Sequence, residues 1–174
     1  ATYHRHFGPE NYAFFMGKDL FIMLDDIIYK PDGKYYEGYS DEIIQWVKSL
    51  MKYIQPDIDI YIAQHSPLLG RAHKHKHIHN AENLLGALDG HKVHFMSGHN
   101  HISENFVHSP KVTEHNVASI CGTWWMAYHC KDGTPQGYKV YTKADGKLEW
   151  YYKSVGKDKD FQYEIFRPGE CEVN

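Results

Sequence analysis

Val93-His94-Phe95-Met96-Ser97-Gly98-His99-Asn100-His101 decides how the rest of the chain is read. The first five residues are an apolar run of strand character, and Gly98 marks a tight turn at its end. Two imidazoles one residue apart follow the turn. Histidine is the commonest metal ligand, and ligand sites of open α/β sheets lie beyond the carboxyl ends of the strands. Upstream, Asp59-Ile60-Tyr61-Ile62-Ala63-Gln64-His65-Ser66-Pro67 repeats the plan: an apolar strand, a histidine, a breaker. Two strand-end histidine sites point to a shared metal centre, with His65, His99 and His101 as candidate ligands. The alternative for the H-x-H pair is two hydrogen-bonded loop histidines, since the chain holds 14 His.

Around these strands the order of elements can be read from periodicity. Tyr12 to Met16 and Leu20 to Leu24 are apolar runs separated by Gly17-Lys18-Asp19, as in a hairpin. Phe7 to Tyr12 and Pro31-Asp32-Gly33 carry turn chemistry. Ser40 is placed to cap a helix whose first turn holds Asp41 and Glu42. Ile43, Ile44, Trp46, Val47, Leu50, Met51 and Ile54 follow at helical spacing, up to Pro56. Asn80 is placed to cap a second, shorter helix through Leu84, Leu85 and Leu88, stopped by Asp89-Gly90. Alternating strands and helices favour an α/β layer with parallel pairing. Beyond residue 110 the helical period disappears. Val112 to Ile120, Gly137 to Thr142, Leu148 to Tyr152 and Phe161 to Phe166 read as strands, with Asp145-Gly146 as a hairpin turn. The expected division is therefore 1–110, α/β, and 111–174, an antiparallel β-rich extension.

Composition narrows the function. At 174 residues the chain can bury a real core. A net charge of −3 gives no broad attraction to nucleic acid, and no apolar run approaches the roughly 20 residues that span a membrane. Cys121 and Cys130 flank an aromatic segment, either as a disulfide, which would imply an oxidising compartment, or as plain thiols. His73-Lys74-His75-Lys76-His77-Ile78-His79 reads as a solvated loop, because its lysines repel cations. His115, beside Glu114, either contacts an anionic substrate near the metal or fills a polar pocket. Asp25 and Asp26, at a strand end, are ligand or turn residues. Trp124-Trp125 with Asp132-Gly133-Thr134-Pro135-Gln136-Gly137-Tyr138 either forms an aromatic platform or packs inward.

A strand-end histidine at His65 followed by Gly98-His99-Asn100-His101 resembles the later blocks of the calcineurin-like metallophosphoesterases, whose motif is G-H-x-H. Glu114-His115, Cys121-Gly122-Thr123-Trp124-Trp125, the loop 132–138 and Asp160-Phe161-Gln162 to Arg167-Pro168-Gly169 are similar to the C-terminal domain of that family. The Phe7-Gly8-Pro9 opening and the Leu24-Asp25 strand end are similar too. The resemblance implies half of a metallophosphoesterase-type α/β sandwich followed by the β-rich C-terminal domain. It implies a dinuclear centre of two divalent metal ions (Mn, Fe or Zn) that activates water against a phosphate-ester substrate. His65 and His99 would serve one ion and His101 its neighbour, while His115 would touch substrate.

The family's earlier blocks, D-x-H, G-D-x-x-D and G-N-H-D or G-N-H-E, do not occur in this chain, and Thr2-Tyr3-His4 does not replace them. The general-acid histidine and the bridging carboxylates are therefore expected upstream of Ala1, on the missing N-terminal half of a longer polypeptide. Three imidazoles shared between two ion positions lack the carboxylate charge and bridge of such a centre. Weak metal binding and poor hydrolysis are the expectation for this chain alone, along with self-association through an uncovered sheet edge. The C-terminal domain and the Cys121–Cys130 alternative point to an exported or periplasmic bacterial protein. The competing class is a noncatalytic ligand-binding module of a bacterial envelope protein.

Overall fold

A computed structural model describes residues 2–68 and 77–162. The elements run α1 (Thr2–Phe7), β1 (Tyr12–Met16), β2 (Asp19–Met23), β3 (Ile27–Tyr29), β4 (Tyr35–Glu37), α2 (Asp41–Met51), β5 (Asp59–Ala63), α3 (Ala81–Ala87), β6 (Lys92–Ser97), β7 (Glu104–Ser109), β8 (Val112–Asn116), β9 (Gly137–Ala144) and β10 (Lys147–Ser154). The architecture is mixed α/β. Six strands form one sheet in the order β1-β2-β5-β6-β8-β7. Its four inner strands are parallel, and β1 and β7 close the edges antiparallel. Among the described residues no helix is long and apolar enough to cross a membrane.

Side chains alternate across a strand, so the parallel strands present two different faces. Ile22, Ile62 and Phe95 line up across three strands on one face. There they meet Ile44 and Val47 of α2 and Ala81, Leu84 and Leu88 of the α3 segment, all buried. Both helices cross over between parallel strands, which sets them side by side on that face. Ser40 caps α2 as its sequence position implies, its hydroxyl accepting from the Ile43 N–H at 3.4 Å. Asn80 occupies the cap position of α3 by a different chemistry: it is left-handed (φ 61°) and makes no side-chain cap bond. Its amide instead donates to the Tyr39 carbonyl and to Asp41, joining the two helix starts.

The opposite face carries Phe21, Tyr61, His94 and His115, whose rings form a ladder across the sheet. Phe21 stacks on Tyr61 at 4.9 Å, Tyr61 on His94 at 5.3 Å, and His94 meets His115 at 5.4 Å. The antiparallel β9–β10 hairpin lies over this row, with Trp150 and Tyr141 set edge-on to His115. Asp145 and Gly146 form its turn, both at positive φ, as the dipeptide implies. Lys139, Tyr141 and Lys143 alternate along one face of β9. Lys143 Nζ reaches Asp19 at 2.6 Å and Asp59 at 2.8 Å, bonding the hairpin to β2 and β5.

Some expected elements differ. The strand read over Val112 to Ile120 ends at Asn116, because its parallel partner β6 ends at Ser97 and the chain turns away. β3, β4 and β7 carry no strong apolar alternation and exist because a neighbour supplies their hydrogen bonds. Phe161 and Gln162 are not in a strand, and 163–166 lie outside the described residues, as do Cys171 and residues 69–76 of the histidine loop. The division read at 110/111 falls in the β7–β8 connection, so strands from both segments share the sheet. β1 leaves Tyr12, Phe14, Phe15 and Met16 exposed at an open edge.

Replacing Lys143 by Met removes two charge-assisted bonds between layers and leaves Asp19 and Asp59 without that cation. The expected loss is about 1–2 kcal/mol in urea unfolding, with the hairpin amides losing hydrogen-exchange protection before the sheet does.

Candidate functional site

The loops leaving β2, β5 and β6 meet at the carboxyl end of the parallel strands, and two buried carboxylates hold them there. Asp26 is almost wholly buried just past β2. Its Oδ1 accepts the His65 N–H at 2.9 Å and its Oδ2 the Ser66 N–H at 2.5 Å. Glu114, fully buried on β8, accepts from the Leu68 N–H at 2.7 Å and from the Ser97 hydroxyl at 3.2 Å, and pairs with His108 at 2.9 Å. Gly98 N–H donates to the His65 carbonyl at 2.9 Å. The β5 loop is thus tied at His65, Ser66 and Leu68 to the segments that follow β2 and β6 and to β8. Asp25 has turn geometry, accepting the Ile27 N–H while its own N–H donates to Asn11.

Within this frame two of the three candidate ligands meet. His99 Nδ1 and His65 Nε2 are 2.8 Å apart, and the rings cross at 73°. Glu37, at the end of β4, brings a carboxylate oxygen to 3.5 Å from His99 Nε2. The next residue, Gly38, lies against His79, where a Cβ would stand 2.5 Å from the His79 Cβ. Glu37 escaped sequence reading because a short edge hairpin, not a motif, delivers it. His101 does not join the pair. Its Nδ1 faces the Gly122 carbonyl at 2.7 Å and its ring stacks on Trp124 at 4.9 Å. The positive φ angles fall on His99 (68°) and His101 (53°) rather than on Gly98. Left-handed non-glycine residues cost free energy and cluster at functional sites.

His115 lies inside the sheet–hairpin layer with no exposed surface. Its hydrogen bonds fix the tautomers of two rings. Lys139 Nζ donates to Asn105 Oδ1 at 2.9 Å, which assigns that atom as the oxygen. Asn105 Oδ1 in turn accepts His115 Nδ1–H at 3.1 Å, leaving His115 Nε2 to accept His94 Nδ1–H at 3.1 Å. His94 Nε2 then carries a lone pair and, among the described residues, has no hydrogen-bond partner. Burial holds both imidazoles down to about 4, with Lys92 adding to the effect at His94 and His94 itself at His115. Lys139, also desolvated, is lowered to about 8. Cys121 and Cys130 are separate thiols on either side of Ser119, and Cys130 donates to the Ser119 carbonyl.

Comparison with known proteins bears on the second half of the chain. Residues 114–174 match the family described as C terminal of calcineurin-like phosphoesterase. The match begins at Glu114, the buried carboxylate under the β5 loop, and extends past the described residues. No curated protein matches the chain. Among solved structures, a 5'-nucleotidase from Candida albicans aligns over 90% of this chain and 30% of its own, at 16% identity and a TM-score of 0.50. That likeness is one of fold. A dimetal phosphatase from Danio rerio aligns over 69% of this chain and 40% of its own, at 18% identity and a TM-score of 0.41. The chain therefore spans well under half the length of either.

An ion needs several converging donors, and the described residues do not complete that set. His65 Nε2 and His99 Nδ1 face each other at hydrogen-bond distance, and no three His, Cys, Asp or Glu side chains among the described residues converge to hold an ion. The pair fits part of a centre and not the whole of one.

Two outcomes follow. Because the folded rings titrate near 4 and an ordinary histidine near 6.5, the unfolded chain binds more protons between those values. Their contribution is complete above pH 6.5 and drains away as the pH falls towards 4. Urea midpoints measured across this window should decline, and His94→Phe should flatten the decline. Asp26→Ala strands two backbone N–H groups and should cost about 3 kcal/mol. Its first spectroscopic sign should be exchange broadening of the His65 and Ser66 amides.

Proposed function

We propose that this chain is the C-terminal part of a metal-dependent phosphoric ester hydrolase, to which it contributes His65, His99 and His101 as metal ligands. The convergence of His65 Nε2 and His99 Nδ1 at the mouth of parallel strands carries the reading. The calcineurin-like match over 114–174 supports it. When bound, the divalent ions would polarise the phosphate and lower the pKa of water. This chain's own task is to hold two imidazoles in register: Asp26 fixes the backbone of His65, Gly98 ties the two loops, and Glu37 flanks the far side of the His99 ring. His101 would ligate through Nε2, since its Nδ1–H donates to the Gly122 carbonyl and so fixes the ring. The general acid and bridging carboxylates belong to the N-terminal half, and the substrate is a phosphate ester.

Among the described residues no three His, Cys, Asp or Glu side chains group so as to hold an ion, which keeps the noncatalytic binding module as the second reading. A polypeptide carrying the upstream D-x-H and G-D-x-x-D blocks decides between them. It should hydrolyse 4-nitrophenyl phosphate with manganese, iron or zinc, and lose more than about 100-fold in kcat/KM on His99→Ala. The chain alone should bind manganese weakly and turn over little, and replacing His73, His75 and His77 by alanine should barely change that; Ile78 and His79 are left in place because Ile78 is buried in the core and His79 bridges Gly38. Tight binding of two ions by the chain alone, with efficient turnover, would sink the divided-site reading. An upstream half with those blocks eroded would favour the binding module.

A further inference from the structure

Asp26 works through its backbone as well as its side chain. The carboxylate holds the amides of His65 and Ser66, while the carbonyl of the same residue accepts the Gly38 N–H at 2.8 Å. Tyr39, next to Gly38 and wholly buried, donates its hydroxyl to Gln64 Oε1 at 2.6 Å. The Gln64 amide donates in turn to the Ser66 carbonyl at 2.6 Å. Glu37 pairs with Ile27 across the β3–β4 ladder, and its carbonyl accepts the His79 N–H at 3.1 Å. The strand end that bears Glu37 and the loop that bears His65 are therefore parts of one frame.

The two nitrogens of the His99 ring each face one member of that frame. Nδ1 meets His65 Nε2 at 2.8 Å, and Nε2 lies 3.5 Å from Glu37 Oε1. The side chains of His99 and Glu37 are only 25% and 18% exposed, so water screens the charge only in part. A neutral imidazole carries its proton on one nitrogen and a lone pair on the other. Which nitrogen takes the proton is set by the ring's partners, and a carboxylate can only accept. With the proton on Nδ1, the Nε2 lone pair would face the Glu37 carboxylate, acceptor against acceptor. With the proton on Nε2, the lone pair falls on Nδ1, and His65 Nε2–H supplies the hydrogen of the 2.8 Å contact.

We propose that Glu37 is a positioning residue for His99: its carboxylate holds the ring proton on Nε2 and so presents the Nδ1 lone pair, on the side of His65, as the nitrogen for a metal ion. Glu37 is not itself a ligand. The use of that lone pair by an ion rests on the hydrolase reading above; the ordering of the two rings does not. Binding an ion then requires His65 to carry its proton on Nδ1 instead of Nε2, whereas His99 is already in the required form. Carboxylates that orient ligand histidines in this way typically carry a factor of about 10–100 in metal affinity.

The test reads the ring nitrogens of the metal-free chain by long-range proton–nitrogen correlation, at about pH 8, where an ordinary histidine is neutral. His99 should show a protonated Nε2, an unprotonated Nδ1, and a resolved Nε2–H signal in slow exchange with water. Glu37→Gln keeps an oxygen that can accept from Nε2 and should keep the signal. Glu37→Leu should lose it and mix the two tautomers while the sheet amides stay in place. Should Glu37→Leu disturb the β3–β4 amides, Glu37→Asp takes its place, since the shorter side chain withdraws the carboxylate and the same loss is expected. In the longer polypeptide, Glu37→Leu should weaken zinc binding about tenfold or more, and Glu37→Gln less. A His99 protonated on Nδ1 in the parent overturns the inference, as does a Leu or Asp variant whose ring signals match the parent's. Zinc held equally by the longer polypeptide and its Glu37→Leu variant overturns it as well. If the ring signals behave as expected and the longer polypeptide binds no zinc at all, the ordering by Glu37 stands and the hydrolase reading falls.

Discussion

The carboxylate of Asp26 is the constraint on which the candidate site depends. A buried carboxylate is costly unless its oxygens are satisfied. Here each oxygen takes one backbone N–H from consecutive residues, His65 and Ser66. That arrangement forces the chain leaving β5 to bend across the end of β2 at the residue that bears the imidazole. Glu114 repeats the device one loop further on, at Leu68. Neither carboxylate faces solvent, so their role here is to shape loops whose backbone would otherwise be free to choose among turns.

The sheet carries this frame because its two faces are covered by different chemistry. The helix face is aliphatic and conventional. The other is a row of rings ending in two imidazoles that are kept neutral by burial and by a chain of directed bonds from Lys139 through Asn105. A single lysine on β9 thereby sets the proton positions on β6 and β8. The hairpin is held by this polar chain and by the Lys143 bonds to Asp19 and Asp59, with Trp150 and Tyr141 excluding water between them. β6 supplies both His94 to this layer and His99 to the loop beyond, so the hairpin and the candidate ligands are coupled through one strand.

Strain is concentrated where the chain meets that loop region. His99, His101, Trp124 and Trp125 are all left-handed, and His101 and Trp124 touch. Glycine would have been the cheaper residue at each of these positions. Instead the side chains are present, pointing one ring at His65, one at Gly122 and one at solvent. The geometry distinguishes the three sequence candidates: His65 and His99 contact each other, while His101 contacts Gly122 and Trp124.

Much of the fold was legible in the residues. The β1–β2 hairpin, the capped helix after Ser40, the strands ending before His65 and Gly98 and the Asp145-Gly146 turn all rest on local patterns: periodicity, caps and turn dipeptides. Those signals act over a few residues and need no partner. The edge strands β3, β4 and β7 do need one, and their alternation was too weak to announce them. The same divide runs through the site. Sequence alone determined that His65 and His99 stand at strand ends, since an apolar run and a breaker are local facts. Only the tertiary structure decided that Glu37 lies beside His99, that His115 is enclosed rather than presented, and that Trp124 stacks on His101 while Trp125 stays exposed. Each depends on a residue distant in the chain, and a contact across the fold has no periodicity by which a sequence could reveal it.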